Sequence, residues 1–396
     1  MSDETKASAT VSDYLRWRGD LTFAQDGFNE VDNLLLCIIS YIKLENIPRL
    51  RSFDPQDAMP MGDVCRLLTE EDEQLGLSTL DYIPLMRQAA ETPRFREVSL
   101  FAFESLHDED RQMQFAAVSF LLPDGSVYAA YRGTDMTIVG WQEDFNMSFL
   151  SAVPAQVKAA EYAGAVARAC PRRPLRIGGH SKGGNLAAWA AVHLDEKLQR
   201  QRLIAAYNND GPGFSRDLVD TPSYQAVADR LFTYIPASSI VGVLLEHAED
   251  YEVVDSTARS IMQHEPLSWC VEGPHFVHLG QRSQLGQLSD GVLREWIGSM
   301  SSREREQFSR AFFDILSRGG RTKTLEDLRS GGLAAGAALV REYAGADEEK
   351  KKIISEIFRR LAVDVKDELM KAAGAGVRRA GETILATGQA IADLRK

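Results

Sequence analysis

Gly179-His180-Ser181-Lys182-Gly183 sets a serine between two glycines, with the short strand-like stretch Leu175-Arg176-Ile177 before it and the alanine-rich stretch 185–194 behind it. A serine held on a sharp turn between a strand and a helix is placed to attack a carbonyl carbon. The strand carries it to the sheet edge, and the helix N-terminus supplies backbone donors and a favourable dipole for the oxyanion that forms. Gly179 and Gly183 suit such a turn because its backbone is strained and neighbouring segments approach closely. The competing reading is a glycine-rich strand–helix turn with Ser181 as a helix cap.

A serine hydroxyl is a weak nucleophile and needs a base, most often a histidine oriented by a carboxylate. In turns of this kind the chain order is serine, acid, histidine. His247, His264, His275 and His278 all follow Ser181. His264, in the stretch SIMQHEPLSW, comes after the last clear strand pattern and is the leading candidate for the base. His275 and His278, in GPHFVHL, are alternatives. His180 and His193 flank the turn and read as structural. Asp210 ends the strand pattern RLIAAYNND and leads for the acid, with the shaping of its Gly-Pro-Gly turn as the bland alternative. Asp255, ending YEVVDS, comes second, and Glu246 and Asp250 lie between them. Two donors must meet the oxyanion. The backbone N–H of Lys182 is one, and Thr134, in the strand-ending Arg132-Gly133-Thr134-Asp135, offers the other. The Lys182 side chain is not needed and reads as solvated or as an attractor for an anionic substrate.

These residues need a sheet to position them. Val31, Leu35, Ile38, Ile39 and Ile42 recur at helical spacing, and Asn29 with Asp32 resembles a capped start. Short helices follow near 61–69 and 78–90. From residue 97 three β-rich runs appear, the last two joined by Pro123-Asp124-Gly125, a hairpin signal. Strand and helix then alternate to about residue 282. This predicts an α/β fold whose mixed, mainly parallel sheet has helices on both faces. An N-terminal helical segment over 1–96 is expected to pack on a core over 97–282. A helical extension over 283–396 follows, with small residues at 323–344 and an amphipathic stripe at Ile353, Ile357, Leu361, Val365 and Leu369.

The segment YRGTDMTIVGWQEDF resembles the Arg-Gly-Ser/Thr…Trp-x-x-Asp block of class 3 (fungal-type) lipases, members of the α/β-hydrolase superfamily, and IGGHSKGGNLAAWAA resembles their serine turn. The resemblance implies that Thr134 lines the oxyanion hole, with Trp141 and Asp144 supporting the hole rather than touching the reacting atoms. FNEVDNL, DGPGF, SSIVG and QHEPLSW are similar to segments of a bacterial group of lipase-like hydrolases, which extends the likeness over most of residues 12–280. Class 3 lipases carry the acid in an Asp-x-Val-Pro turn. The matching stretch here, TYIPASSIVG, has Ser238 and Ser239 where that acid would stand.

Formal net charge is −12, which argues against nucleic acid as the main partner. Residues 301–396 carry 19 Lys+Arg against 15 Asp+Glu, and the first 300 carry 26 against 42. A mildly basic, amphipathic tail therefore suggests a peripheral membrane or protein contact, with packing on the hydrolase domain as the plainer reading. Cys37, Cys65, Cys170 and Cys270 are too scattered for a zinc site or a disulfide framework and read as buried thiols. The polar N-terminus and the absence of a run near 20 apolar residues point to a cytoplasmic protein with no integral membrane segment. No cofactor or metal is implied. The expected activity is hydrolysis of small-molecule or lipid-like carboxylic esters through Ser181, His264 and Asp210, and the alternative is a catalytically inactive binding module on the same fold.

Overall fold

Alternating apolar runs separated by turn residues produce one nine-stranded sheet. The computed structural model describes residues 8–69, 82–134, 138–247, 249–283, 286–287, 296, 299–318, 345, 348 and 350–355. The strands β1 (Met59–Pro60), β2 (Ser99–Asp108), β3 (Met113–Leu121), β4 (Val127–Tyr131), β5 (Leu175–His180), β6 (Leu203–Asn209), β7 (Leu231–Pro236) and β8 (Tyr251–Val254) lie side by side in chain order. A two-residue strand, His278–Leu279, closes the row beyond β8. Neighbours from β1 to β4 pair antiparallel, and β4 to β8 are parallel. The β3–β4 turn needs Gly125, whose φ is 85°, and Asp124 Oδ1 accepts the Ser126 N–H at 2.9 Å. The sheet and its helices form the expected α/β-hydrolase-like fold. The sequence pattern misses both two-residue edge strands, which are too short to show a period.

The helices α1 (Val11–Arg18), α2 (Glu30–Ile39), α3 (Met61–Leu67) and α4 (Tyr82–Glu91) precede the main strands. Asn29 caps α2: its side-chain oxygen accepts from the Val31 and Asp32 amides at 3.0 Å, and Asp32 accepts the Asn29 N–H at 3.0 Å. Helix α2 is apolar nearly all round, and Val31 and Leu34–Ile39 are fully buried. It covers one face of the sheet, with Asn33 against Tyr128 of β4 and Asn209 of β6. Helix α5 (Ile138–Asn146) follows β4, and helices α6 (Pro154–Ala169) and α7 (Lys182–His193) cover the other face, where Tyr131 donates to the Ala159 carbonyl at 2.8 Å. The N-terminal helices share one hydrophobic core with the strands. Arg94 and Asp32, both fully buried, form an ion pair at 2.5 Å in that layer, and Tyr14 donates to Asp32 at 2.8 Å. All four cysteines are free and buried.

The chain divides into two compact units. One comprises residues 1–135 and 154–283, the other 136–153 and 284–396. The second contains α5 and the helix Ser302–Arg318. There Phe145 packs with Phe308 at 5.3 Å, Ser309 donates to Asn146 at 2.8 Å, and Met300, Phe308, Ala311 and Ile354 form a small core that Ile353 joins. Residues 323–344 and Ile357, Leu361, Val365 and Leu369 of the amphipathic stripe lie outside the described residues.

Candidate active site

The C-terminal ends of β5, β6, β7 and β8 lie along one sheet edge, and Ser181, Asp210 and Asp255 are the first residues past β5, β6 and β8. Ser181 follows β5 and has φ 59°, ψ −133°, a conformation that costs a non-glycine residue about 1–3 kcal/mol. The flanking glycines make it sterically possible. A Cβ on Gly179 would run into the Gly183 backbone, and one on Gly183 into the Tyr131 carbonyl. Helix α7 starts at Lys182, so the Lys182 amide is at the helix N-terminus directly after the serine.

Asp210 follows β6, next to β5, and also has positive φ (53°), which aspartate tolerates better than most residues. It is fully buried. Both of its carboxylate oxygens are engaged: Oδ2 accepts from Ser239 Oγ at 2.6 Å and meets His264 Nδ1 at 2.6 Å, while Oδ1 accepts the Gly242 N–H at 3.1 Å. The serine that stands where the class 3 acid would be thus donates to an acid delivered by the neighbouring strand. Its hydroxyl occupies one lone pair of Asp210 and helps fix the carboxylate plane.

His264 ends a 3-10 turn, Ser260–His264, with its side chain 27% exposed. The surrounding QHEPLSW segment is pinned residue by residue. Gln263 accepts the Ser238 amide at 2.7 Å through Oε1, and its carbonyl accepts Trp269 Nε1 at 3.0 Å. Glu265 accepts from Tyr82 at 3.1 Å, and Ser268 Oγ returns to the Glu265 carbonyl at 2.6 Å. The His264 carbonyl is 2.8 Å from His180 Nε2, and the two rings lie 4.6 Å apart. A carbonyl only accepts, so His180 carries its proton on Nε2, and its Nδ1 accepts the Tyr41 O–H at 2.9 Å. Burial, and then the neighbouring His264, hold the His180 pKa well below the ordinary 6.5, so the ring is neutral.

The other sequence candidates fall elsewhere. Asp255 lies at the same edge but three strands from Ser181, about 14 Å at ~4.8 Å per strand. Its Oδ1 accepts the Ser256 amide at 2.8 Å, which is a turn contact. His275 and His278 belong to another cluster. His278 Nε2 meets Glu30 at 2.9 Å and its Nδ1 meets Glu252 at 2.5 Å, while His275 is 3.6 Å from Glu30. Their strands end next to the α2 N-terminus, so they lie on Glu30 rather than beside the serine. The Lys182 side chain is not solvated: it is 1% exposed, and its Nζ donates to the Gln114 carbonyl at 2.8 Å and to Gln114 Oε1 at 2.5 Å. A charged residue in the middle of a surface-like motif gives no sign of that burial. His193 bonds the Trp189 carbonyl at 2.9 Å within its own helix. Glu246 pairs through its backbone with Phe214.

Thr134 follows β4, whose end pairs with β5 at Tyr131↔Gly179. A Cβ built on Gly133 would stand 3.0 Å from that of Ser181, so this strand end borders the serine. Trp141 and Asp144 are on α5, in the second unit.

Sequence reasoning misses the polar layer beneath the serine turn. Asn209 donates to the Gly179 carbonyl at 2.9 Å, and its Oδ1 accepts from Asn33 at 2.9 Å. Tyr128 donates to Asn33 at 2.6 Å and lies 3.2 Å from the Cys37 thiol. The available signal is polar Asn33 and Cys37 inside the otherwise aliphatic stretch of α2.

The family model described as Mbeg1-like matches residues 89–314, more than half of the chain. The chain belongs to the Mbeg1-like family. The matched span contains Thr134, Ser181, Asp210 and His264, whereas Asn33 and Tyr41, which support the turn from α2 and the residues after it, precede it. Among solved structures the chain is similar to the Rhizomucor miehei lipase in its propeptide complex, at 16% identity and TM-score 0.33, over 44% of this chain and 72% of that one. It is also similar to M37 lipase, at 16% identity and TM-score 0.32, over 55% of this chain and 70% of that one. No curated protein matches the chain.

Proposed function

We propose that this protein is a serine hydrolase of carboxylic esters with a lipase-like acyl-enzyme mechanism. The observation that carries the proposal is the 2.6 Å contact between His264 Nδ1 and the fully buried Asp210, one strand from a serine held at positive φ. With Nδ1 committed to Asp210, Nε2 is the nitrogen left to take a proton. Ser181 Oγ adds to the ester carbonyl as His264 Nε2 removes its proton. The amides of Lys182 and Thr134, with the Thr134 hydroxyl, receive the oxyanion. The imidazolium then protonates the departing alcohol, leaving an acyl group on Ser181. Water, activated by the same nitrogen, releases the acid and restores the serine.

Asp210 holds the His264 ring through Nδ1 and stabilises the imidazolium that forms. The departure at Ser238 and Ser239, which motivates the binding-module reading, fits the enzyme reading because Ser239 donates to Asp210. Lipid-like esters lead as substrates through the resemblance to lipases. Among the described residues no helix is long and apolar enough to cross a membrane.

Treatment of wild type and Ser181→Ala with a fluorophosphonate, followed by peptide mass spectrometry, tests the reading. An adduct on Ser181 that His264→Ala abolishes is the expected result. A folded wild-type protein without an adduct overturns it in favour of the binding module.

A further inference from the structure

A buried histidine–carboxylate pair stands behind Asp210 and is used by no step above. His247 Nδ1 is 3.1 Å from Glu249 Oε1, and its Nε2 is 2.7 Å from the Gly242 carbonyl. The side chains of His247 and Glu249 are 4% and 1% exposed. Both atoms facing the His247 ring are acceptors, so the ring bridges the Glu249 carboxylate and the Gly242 carbonyl. Glu249 also accepts from Thr233 Oγ1 and Tyr224 Oη, each at 2.5 Å. Burial works against the Glu249 charge, but the His247 contact and these hydrogen bonds hold its pKa below the usual carboxylate range. Tyr251 is the ring neighbour of His247, 6.1 Å away.

The carbonyl that His247 holds and the amide that Asp210 receives belong to one residue, Gly242. No other residue fits there, because a Cβ on Gly242 would collide with Asp210 Oδ1. The same loop supplies Ser239, and its far end pairs with the segment just after Asp210: Gly213 N–H donates to the Leu244 carbonyl at 2.8 Å, and Phe214 and Glu246 exchange backbone bonds. The loop 237–247 is thus the back wall of the acid, held at its start by Arg282, which donates to the Ala237 and Ser239 carbonyls, and at Gly242 by the His247–Glu249 pair.

We propose that His247 and Glu249 are positioning residues for the proposed hydrolysis, holding Gly242 so that its amide and the Ser239 hydroxyl keep Asp210 in the plane that His264 requires. The inference rests on the serine-hydrolase reading. An acid moved to the end of β6 has its carboxylate facing the loop after β7, and that loop needs a rigid hold of its own. Neither pair member touches the reacting atoms, so each acts only through Asp210.

The test is the rate of fluorophosphonate labelling in a double-mutant cycle. His247→Ala should slow labelling of Ser181 by about tenfold, and Glu249→Gln by less. In an Asp210→Ala background the same changes should cost nothing further, because the group they act through is gone. His247→Gln, which keeps one donor for the Gly242 carbonyl, should recover part of the rate. A wild-type rate in His247→Ala, or the same loss with and without Asp210, overturns the proposal and leaves the enzyme reading standing. Absence of labelling in wild type sinks the enzyme reading instead. If His247→Ala does not fold, Glu249→Gln in the same cycle decides.

Discussion

Among the histidine–carboxylate clusters of the described residues, the one at His264 and the one at His278 hold their acids in opposite ways. His264 meets an acid with no exposure, whose two oxygens also accept from Ser239 and Gly242. His278 meets Glu30 and Glu252, which are 11% and 57% exposed and compete for one ring. A carboxylate in a dry setting, bonded at both oxygens, cannot reorient or lose its partner to water, so it holds one ring nitrogen and frees the other. An exposed carboxylate is screened, and a ring shared between two of them has no nitrogen left for a substrate. Proximity of histidine to acid is therefore common to both clusters. Burial of the acid and adjacency to a strained serine separate them.

The contrast can be broken by experiment. Ser181→Ala should have the largest effect, removing fluorophosphonate labelling altogether and lowering any ester hydrolysis by about 10⁶-fold. Asp210→Asn should lower kcat by about 10⁴-fold through loss of the correct imidazole tautomer, while Asp255→Asn should stay within about twofold of wild type. Equal losses in the two variants would misplace the acid. Thr134→Val, which removes the hydroxyl and keeps the amide, should cost up to about 10²-fold in kcat with little change in KM. A loss confined to KM would take Thr134 out of the oxyanion site.

A smaller effect is expected from His180. Its folded pKa lies below the unfolded 6.5, so under acid conditions the unfolded chain binds a proton that the native state refuses. Its contribution is present above pH 6.5 and is lost as pH falls below that value. Denaturant midpoints measured from pH 7 down to about 5 should fall less steeply in His180→Gln than in wild type. Parallel slopes would mean that His180 titrates normally. The smallest effect belongs to His278→Ala, with unchanged labelling and a stability loss below about 1 kcal/mol by chemical denaturation.

Much of this arrangement is legible in the sequence alone. The strand–serine–helix pattern at 175–194 locates the turn because local signals suffice there: a short strand-like stretch, glycines where no Cβ fits, and a helix former behind. Asp210 and His264 are legible as strand-end and loop residues in the expected order. The rest is hidden because it depends on neighbours distant in sequence. Tyr41 reaches His180 across 139 positions, and Asn33 reaches Asn209 across 176. Lys182 looks like a surface charge because burial of its ammonium depends on Gln114 of β3. The two-residue edge strands carry no period at all.

Chain chemistry by itself determined which groups were available: one serine between glycines, a small set of histidines after it, and serines in place of the acid at 238 and 239. It also determined the strands and helices that carry them, since periodicity and capping act over a few residues. Tertiary structure alone decided which acid the histidine meets. That choice depends on the parallel pairing of β5, β6 and β7, which brings Ser181, Asp210 and Ser239 to one edge, and on the loop packing that excludes water from the carboxylate. Pairing register and burial are properties of the folded sheet, so no stretch of sequence read alone contains them.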